Sequence, residues 1–169
     1  DGDDNGNQVV GGAAVVLDAK TGEVLAAVTA PTYDLNSYFS DYSALASRED
    51  LPMVNRAFDG LYRPGSTFKT VVAAGALTEG IITPSDTVDC RRVYTYYDYI
   101  PGNTFRPTCL GYHGTTNVMR ALTVSCNIFF YDVGRRLGID KIQEYAHLLG
   151  LGTDTGLELS NAVGGISGP

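Results

Sequence analysis

The sequence predicts an α/β (α+β) chain in which strands come first and helices follow. Two strand-like runs, VVGGAAVVLD and EVLAAVTA, flank the turn AKTG near the start. Three helical patterns succeed one another between residues 115 and 150. Between these two regions lies one apolar helix, and from Ile81 to Gly114 prolines break the pattern, which marks a loop-rich stretch.

Residues 1–8, DGDDNGNQ, are acidic and aperiodic and predict a flexible N-terminal segment, leaving 9–169 as the folded part. The AKTG turn between two apolar runs predicts a β-hairpin. Residues 31–50, PTYDLNSYFSDYSALASRED, predict irregular chain with short helical pieces. LPMVNRAFDGLYRPG then leads into an apolar helix that starts at Ser66 and stops near Gly80. Pro84, Pro101 and Pro107 break the stretch from Ile81 to Gly114, predicting loops with one short hairpin around VYTYYDY. Its tyrosines at 94, 96, 97 and 99 suit loop packing or an aromatic binding surface. TTNVMRALTV predicts a helix capped by Thr115 or Thr116. NIFFYDVGRRLG predicts a second, ending at Gly138, and DKIQEYAHLLG a third, capped by Asp140 and ending at Gly150. In the third, Ile142, Tyr145, Ala146 and Leu149 share one apolar face. Residues 151–169 are Gly-rich, without a cap or closing strand.

Composition narrows the function. Hydrophobic residues at 44% and charged residues at 18% belong to a globular chain rather than a disordered one. A net charge of −7 excludes nucleic-acid binding, which needs clustered Lys and Arg. No apolar run approaches the ~18 residues of a membrane span, so this segment makes no membrane contact. Cys90 and Cys109 flank a Tyr- and Pro-rich loop that a disulfide would close in an oxidising compartment. Three separate thiols, with Cys126 buried and free in either case, is the other reading. His113 and His147 lie far apart and no Cys/His run has zinc spacing, so no metal site is expected.

One feature points to chemistry. The helix STFKTVVAAGAL is apolar on nearly every side, yet it holds Lys69, one of only three lysines, at positions 20, 69 and 141. Burying an ammonium lowers its pKa or demands a firm partner. Lys69 follows Ser66 by one turn, so both side chains share a face, and a desolvated amine can activate a neighbouring hydroxyl. Pro64 and Gly65 leave Ser66 at a helix start, where free N–H groups favour a developing oxyanion. Ser-x-x-Lys alone is a weak signal, because Ser is a common helix cap and Lys can snorkel to water. A second motif adds weight: Ser125-Cys126-Asn127 is the only Ser-x-Asn in the chain. Its hydroxyl can relay a proton, and its amide can pair with a peptide-like substrate.

With these motifs the chain resembles the transpeptidase domain of a class B penicillin-binding protein. The matching stretches are AAVVLDAKTGEVLAAVTAPTYDLN, NRAFDGLYRPGSTFK, HGTTNVMRALTVSCNIFFYDVGRRLGID and LLGLGTDTGLEL, in family order. The resemblance implies the penicillin-binding-protein/serine β-lactamase-like transpeptidase fold in incomplete form, with residues 9–169 a partial domain. It implies Ser66 as the acylated nucleophile, Lys69 as its base, Ser125 as proton relay and Asn127 as a substrate contact. It implies peptidoglycan stem peptides ending in D-Ala-D-Ala and β-lactams as ligands, with no cofactor. It also places the chemistry outside the cytoplasm, on a protein anchored by a segment outside this sequence.

The family's third motif, Lys-Thr/Ser-Gly, follows Ser-x-Asn on a cleft strand. Residues 128–169 do not contain it. Lys20-Thr21-Gly22 matches the letters but sits at the predicted hairpin tip, ahead of the serine, and reads as turn chemistry. Such a segment is expected to be impaired alone, and to expose the apolar Ser66 helix or borrow cover from a partner chain. Two rivals share the fold. Among serine β-lactamases, class D enzymes carry Ser-x-Val where this chain has Ser-Cys-Asn, and Glu158-Leu-Ser-Asn161 only echoes the class A Glu-x-x-Leu-Asn element. A non-catalytic β-lactam sensor module would keep both motifs.

Overall fold

Alternating small and β-branched residues pair as the sequence predicts in the first strands of the chain. The computed structural model describes residues 11–168; the expected flexible segment 1–8 lies outside them. Strand β1 (Gly12–Leu17) runs antiparallel to β2 (Val24–Ala30), in register from Gly12 opposite Ala30, with an irregularity between Val16 and Leu17. Asp18 fixes the turn by accepting from the Lys20 and Thr21 N–H groups at 2.7 and 2.9 Å, and Gly22 takes the left-handed conformation at φ +78. Lys20 and Thr21 therefore serve the turn, as expected. A 3₁₀ turn (Leu35–Ser37) and helix α1 (Tyr38–Ala46) supply the short helical pieces. These elements belong to a first compact unit, formed by the chain up to Tyr62 and by Asp154–Val163.

The second unit, Arg63–Thr153 with the chain from Gly164 onward, carries the remaining elements. A 3₁₀ turn (Gly65–Phe68) runs directly into α2 (Lys69–Thr78). Strand β3 (Thr87–Cys90) pairs antiparallel with β4 (Gly114–Asn117), Cys90 opposite Gly114. Helices α3 (Val118–Thr123), α4 (Asn127–Leu137) and α5 (Ile139–Leu148) follow. Helix α2 packs against α4 and α5, and α4 against β3. Val72, Ala76, Ile128, Phe129, Val133 and Leu137 lie at the centre of this core.

Several local expectations are corrected. The hairpin is not at VYTYYDY: that stretch is turns plus a single bridge, Val93 to Thr108. Its tyrosines pack on one another instead, with Tyr94 buried against Tyr96 and Tyr97 at ring separations of 6.1 and 6.2 Å. Thr115 and Thr116 lie in β4, and Asn117 caps α3 by accepting from the Arg120 N–H at 3.0 Å. Gly138, at φ +85, precedes α5, so Asp140 sits within its first turn rather than at its cap. Leu149 is exposed, while Ile142, Tyr145 and Ala146 face inward. Helix α2 does not lie bare either. Val71, Val72, Ala73, Gly75 and Ala76 are buried. Exposed apolar side chains are spread over the described residues, with Val15, Val16, Leu17, Leu25 and Val28 among them on the hairpin. Among the described residues no helix is long and apolar enough to cross a membrane.

Candidate active site

The chain reaches Ser66 through Pro64 and Gly65. Gly65 adopts φ +57, a conformation glycine takes without steric penalty, and the turn delivers Ser66 to an exposed position one turn ahead of Lys69. The α-helix begins at Lys69 rather than at Ser66, which stands in the 3₁₀ turn ahead of it: the helix buries its later turns and leaves the serine accessible. Ser125 lies between α3 and α4 at φ +51. Holding a non-glycine residue there costs about 1–3 kcal/mol and needs firm surroundings. The Ser125 and Cys126 N–H groups supply them, donating to the Leu122 and Ala121 carbonyls at 3.2 and 2.8 Å.

These two helix starts face each other. The Lys69 Nζ donates to the Ser125 carbonyl at 2.8 Å, to the Ser125 Oγ at 2.8 Å and to the Asn127 Oδ1 at 2.6 Å. The Ser125 Oγ in turn donates to the Ser66 Oγ at 2.9 Å. The line from amine to Ser66 therefore passes through Ser125. Asn127 is fixed from its other end, its Nδ2 donating to the Thr108 carbonyl at 3.1 Å. The Phe130 ring lies 5.8 Å from the amine, near the outer reach of a cation–π contact. Burial draws the Lys69 amine below its ordinary value, opposed by the neighbouring Cys109 and Cys126. All four sequence-predicted residues meet at one place.

Beside them lies a second cluster. Cys90, Cys109, His113 and Cys126 have ligand atoms all within 4.8 Å of one another. All three cysteines are buried and unbridged, so the Cys90–Cys109 disulfide alternative is not realised, and Cys126 is the buried free thiol expected. The expectation that no Cys/His set gathers does not hold. Burial opposes the Cys109 thiolate, yet N–H groups of Gly111, Asn127 and Ile128 outweigh it and lower the thiol to about 7. Burial pushes the Cys126 thiol up to about 12.

Residues 12–169 match the family model of the penicillin binding protein transpeptidase domain. The chain belongs to this family. Peptidoglycan D,D-transpeptidase MrdA of Escherichia coli strain K12 is 40% identical over 159 residues, which cover 88% of this chain and 24% of that relative. The chain thus spans about a quarter of the length of this curated relative. Among solved structures, Pseudomonas aeruginosa PBP2 in complex with WCK 5153 superposes with a TM-score of 0.81 at 31% identity, covering 93% of this chain and 36% of that one. The imipenem acyl-enzyme complex of penicillin-binding protein A from M. tuberculosis gives 0.77 at 28% identity, covering 90% and 37%. The chain is a class B transpeptidase domain segment, and its incomplete α/β architecture is that of the family's transpeptidase fold.

Sequence reasoning missed Thr108, whose carbonyl orients Asn127, and missed the Cys/His set. Cys126, lying inside the Ser-x-Asn motif, was the available signal for that set. Its partners are separated along the chain by spacings that match no ligand pattern.

Proposed function

We propose that this segment carries the acylation machinery of a peptidoglycan D,D-transpeptidase acting outside the cytoplasmic membrane. Ser66 attacks the carbonyl of a stem peptide's D-Ala-D-Ala, or of a β-lactam that mimics it. Its proton passes to Ser125, whose own proton passes to a neutral Lys69. The terminal D-Ala then leaves, taking a proton back along the same line, and an acceptor amine resolves the acyl-enzyme. Asn127 holds Lys69 through its carbonyl oxygen, and its amide, which has a second N–H besides the one given to Thr108, serves as the contact to the substrate backbone. N–H groups at the start of the Ser66 turn favour the oxyanion, since first-turn donors lack intrahelical partners.

One observation supports this most: the unbroken hydrogen-bonded line from Ser66 Oγ through Ser125 Oγ to Lys69 Nζ. Residues with no shared chemistry gain nothing from aligning across two helix starts, one of them held in a strained conformation. The test is a fluorescent penicillin labelling time course in a protein where this segment is followed by a Lys-Thr/Ser-Gly strand. Ser66→Ala is expected to abolish labelling, and Ser125→Ala to slow it by about 10²-fold or more, the usual range for lost proton transfer. Undiminished labelling of Ser66→Ala overturns the assignment.

A further inference from the structure

Acylation at Ser66 gives the tyrosine-rich stretch no task. Residues 92–94 at its start run antiparallel to 107–109, joined at the Val93–Thr108 bridge. The Tyr94 N–H donates to the Pro107 carbonyl at 2.9 Å, and the Cys109 N–H to the Arg92 carbonyl at 2.7 Å. With those two bonds made, Val93 and Thr108 are a pair that exchanges none between its own members. The Thr108 carbonyl therefore points away from residues 92–94, and it accepts from the Asn127 Nδ2 at 3.1 Å. An asparagine side chain can be turned over so that oxygen and nitrogen exchange places, and its partners decide which way it faces. The Lys69 Nζ, 2.6 Å from the Asn127 Oδ1, selects oxygen only while the amine donates. A neutral amine can also accept, and acylation needs a neutral amine. In that state the Thr108 carbonyl alone tells the two ends of the amide apart.

We propose that Tyr94 is a positioning residue for the reaction: its hydroxyl pins this paired segment to α4 and so keeps the Thr108 carbonyl on Asn127. The Tyr94 ring is buried. Its hydroxyl donates to the Asp132 Oδ1 at 3.2 Å and accepts from the Arg135 Nε at 3.1 Å. The Arg135 Nη2 donates to the same Oδ1 at 2.9 Å, closing the set. A carboxylate and a guanidinium are charged partners, which strengthens both bonds of the phenol. Asp132 and Arg135 lie on the helix that Asn127 begins, about 7.5 and 12 Å further along at 1.5 Å per residue. The segment is thus tied to one helix at two levels, Thr108 at its start and Tyr94 one to two turns on. A tie at the start alone would let the segment pivot about Asn127. The Arg135 guanidinium also lies over the Tyr96 ring at 3.7 Å, which holds the ion pair from a second side. A ring that only filled space would need no hydroxyl. The inference rests on the proposed transpeptidase function for the task given to Asn127.

The test uses a protein in which this segment is followed by a Lys-Thr/Ser-Gly strand. Benzylpenicillin offers the Asn127 amide a peptide-like carbonyl, and the bare penicillin nucleus carries a free amine there instead. Tyr94→Phe is expected to slow acylation by benzylpenicillin at least about fivefold more than acylation by the bare nucleus. Tyr145→Phe takes a hydroxyl from Glu79, 2.9 Å away and outside the site, and is expected to leave that ratio unchanged. The second readout is solvent exchange of the Asn127 Nδ2 protons, followed by NMR on protein isotope-labelled at asparagine and assigned by their loss in Asn127→Ser. Exchange is expected to quicken at least about fivefold in Tyr94→Phe, as the local tie opens, and to stay unchanged in Tyr145→Phe. Asp132→Asn keeps one oxygen for both donors and is expected to retain both readings, whereas Asp132→Ala is expected to reproduce Tyr94→Phe. This second pair decides should Tyr94→Phe fail to fold. Equal slowing of the two β-lactams, or unchanged Nδ2 exchange, overturns the proposal. Exchange does not involve acylation, so labelling that survives Ser66→Ala sinks the transpeptidase reading and leaves the exchange result standing.

Discussion

An ammonium group carries three N–H bonds, and Lys69 has three oxygens in range, the Ser125 carbonyl and hydroxyl and the Asn127 amide. That full set favours the charged form while burial disfavours it, and the net effect is a lowered pKa. To receive the Ser66 proton the amine must be neutral, so labelling should rise with pH through this depressed value and level off above it. Stability follows the same sign. Between the depressed value and the ordinary lysine value of about 10.4, the unfolded chain binds the extra proton, so the folded state gains as pH rises across that window. Lys69→Arg separates charge from basicity, because arginine stays protonated throughout. It is expected to slow penicillin labelling by at least about 10²-fold and to flatten the pH rise. A variant that labels normally would show that Lys69 only positions its neighbours.

Helix α2 reaches its partners through a glycine rather than a large apolar residue. A Cβ at Gly75 would lie 2.9 Å from the Tyr145 ring and 3.1 Å from Leu137, closer than packed carbons tolerate. Mid-helix Gly→Ala ordinarily stabilises by roughly 0.5–1 kcal/mol, but overpacking a filled core costs about 1–3 kcal/mol. Contact should win, and Gly75→Ala is expected to lower the melting temperature rather than raise it. A thermal scan showing an increase would mean that α5 yields freely. Elements differ in how far the sequence showed them. The first hairpin and helices α2, α4 and α5 follow from runs of six or more patterned residues. Strands β3 and β4 have four residues each, and TVDC and GTTN show no clear alternation. Their pairing spans residues 91–113, so no local signal joins them. The same gap hid the Cys/His set, whereas Ser66 with Lys69 and Ser125 with Asn127 are near neighbours in sequence and were readable as pairs.

At the scale of the whole chain, the hydrogen-bonded line from Ser66 to Lys69 is present while the family's third motif is not. Residues 128–169 hold no Lys-Thr/Ser-Gly, and Lys20-Thr21-Gly22 is committed to the β1–β2 turn, where Thr21 Oγ1 donates to Glu23 at 3.0 Å. The hairpin also leaves Val16, Leu17, Leu25 and Val28 more than half exposed. A counting of motifs would call the 169-residue chain active, because Ser66, Lys69, Ser125 and Asn127 are hydrogen-bonded in place. Geometry of the nucleophile is only part of the rate. The strand bearing Lys-Thr/Ser-Gly would supply a second oxyanion donor and a contact to the substrate carboxylate, and one lost oxyanion donor alone costs roughly 10² to 10³ in rate. The 169-residue chain is therefore expected to label with fluorescent penicillin at least about 10²-fold more slowly than the same segment followed by that strand. Circular dichroism on the same samples separates a slow site from an unfolded one. Stoichiometric labelling of Ser66 within minutes at low micromolar probe would show that the two helix starts suffice, with the oxyanion held by the Ser66 turn alone.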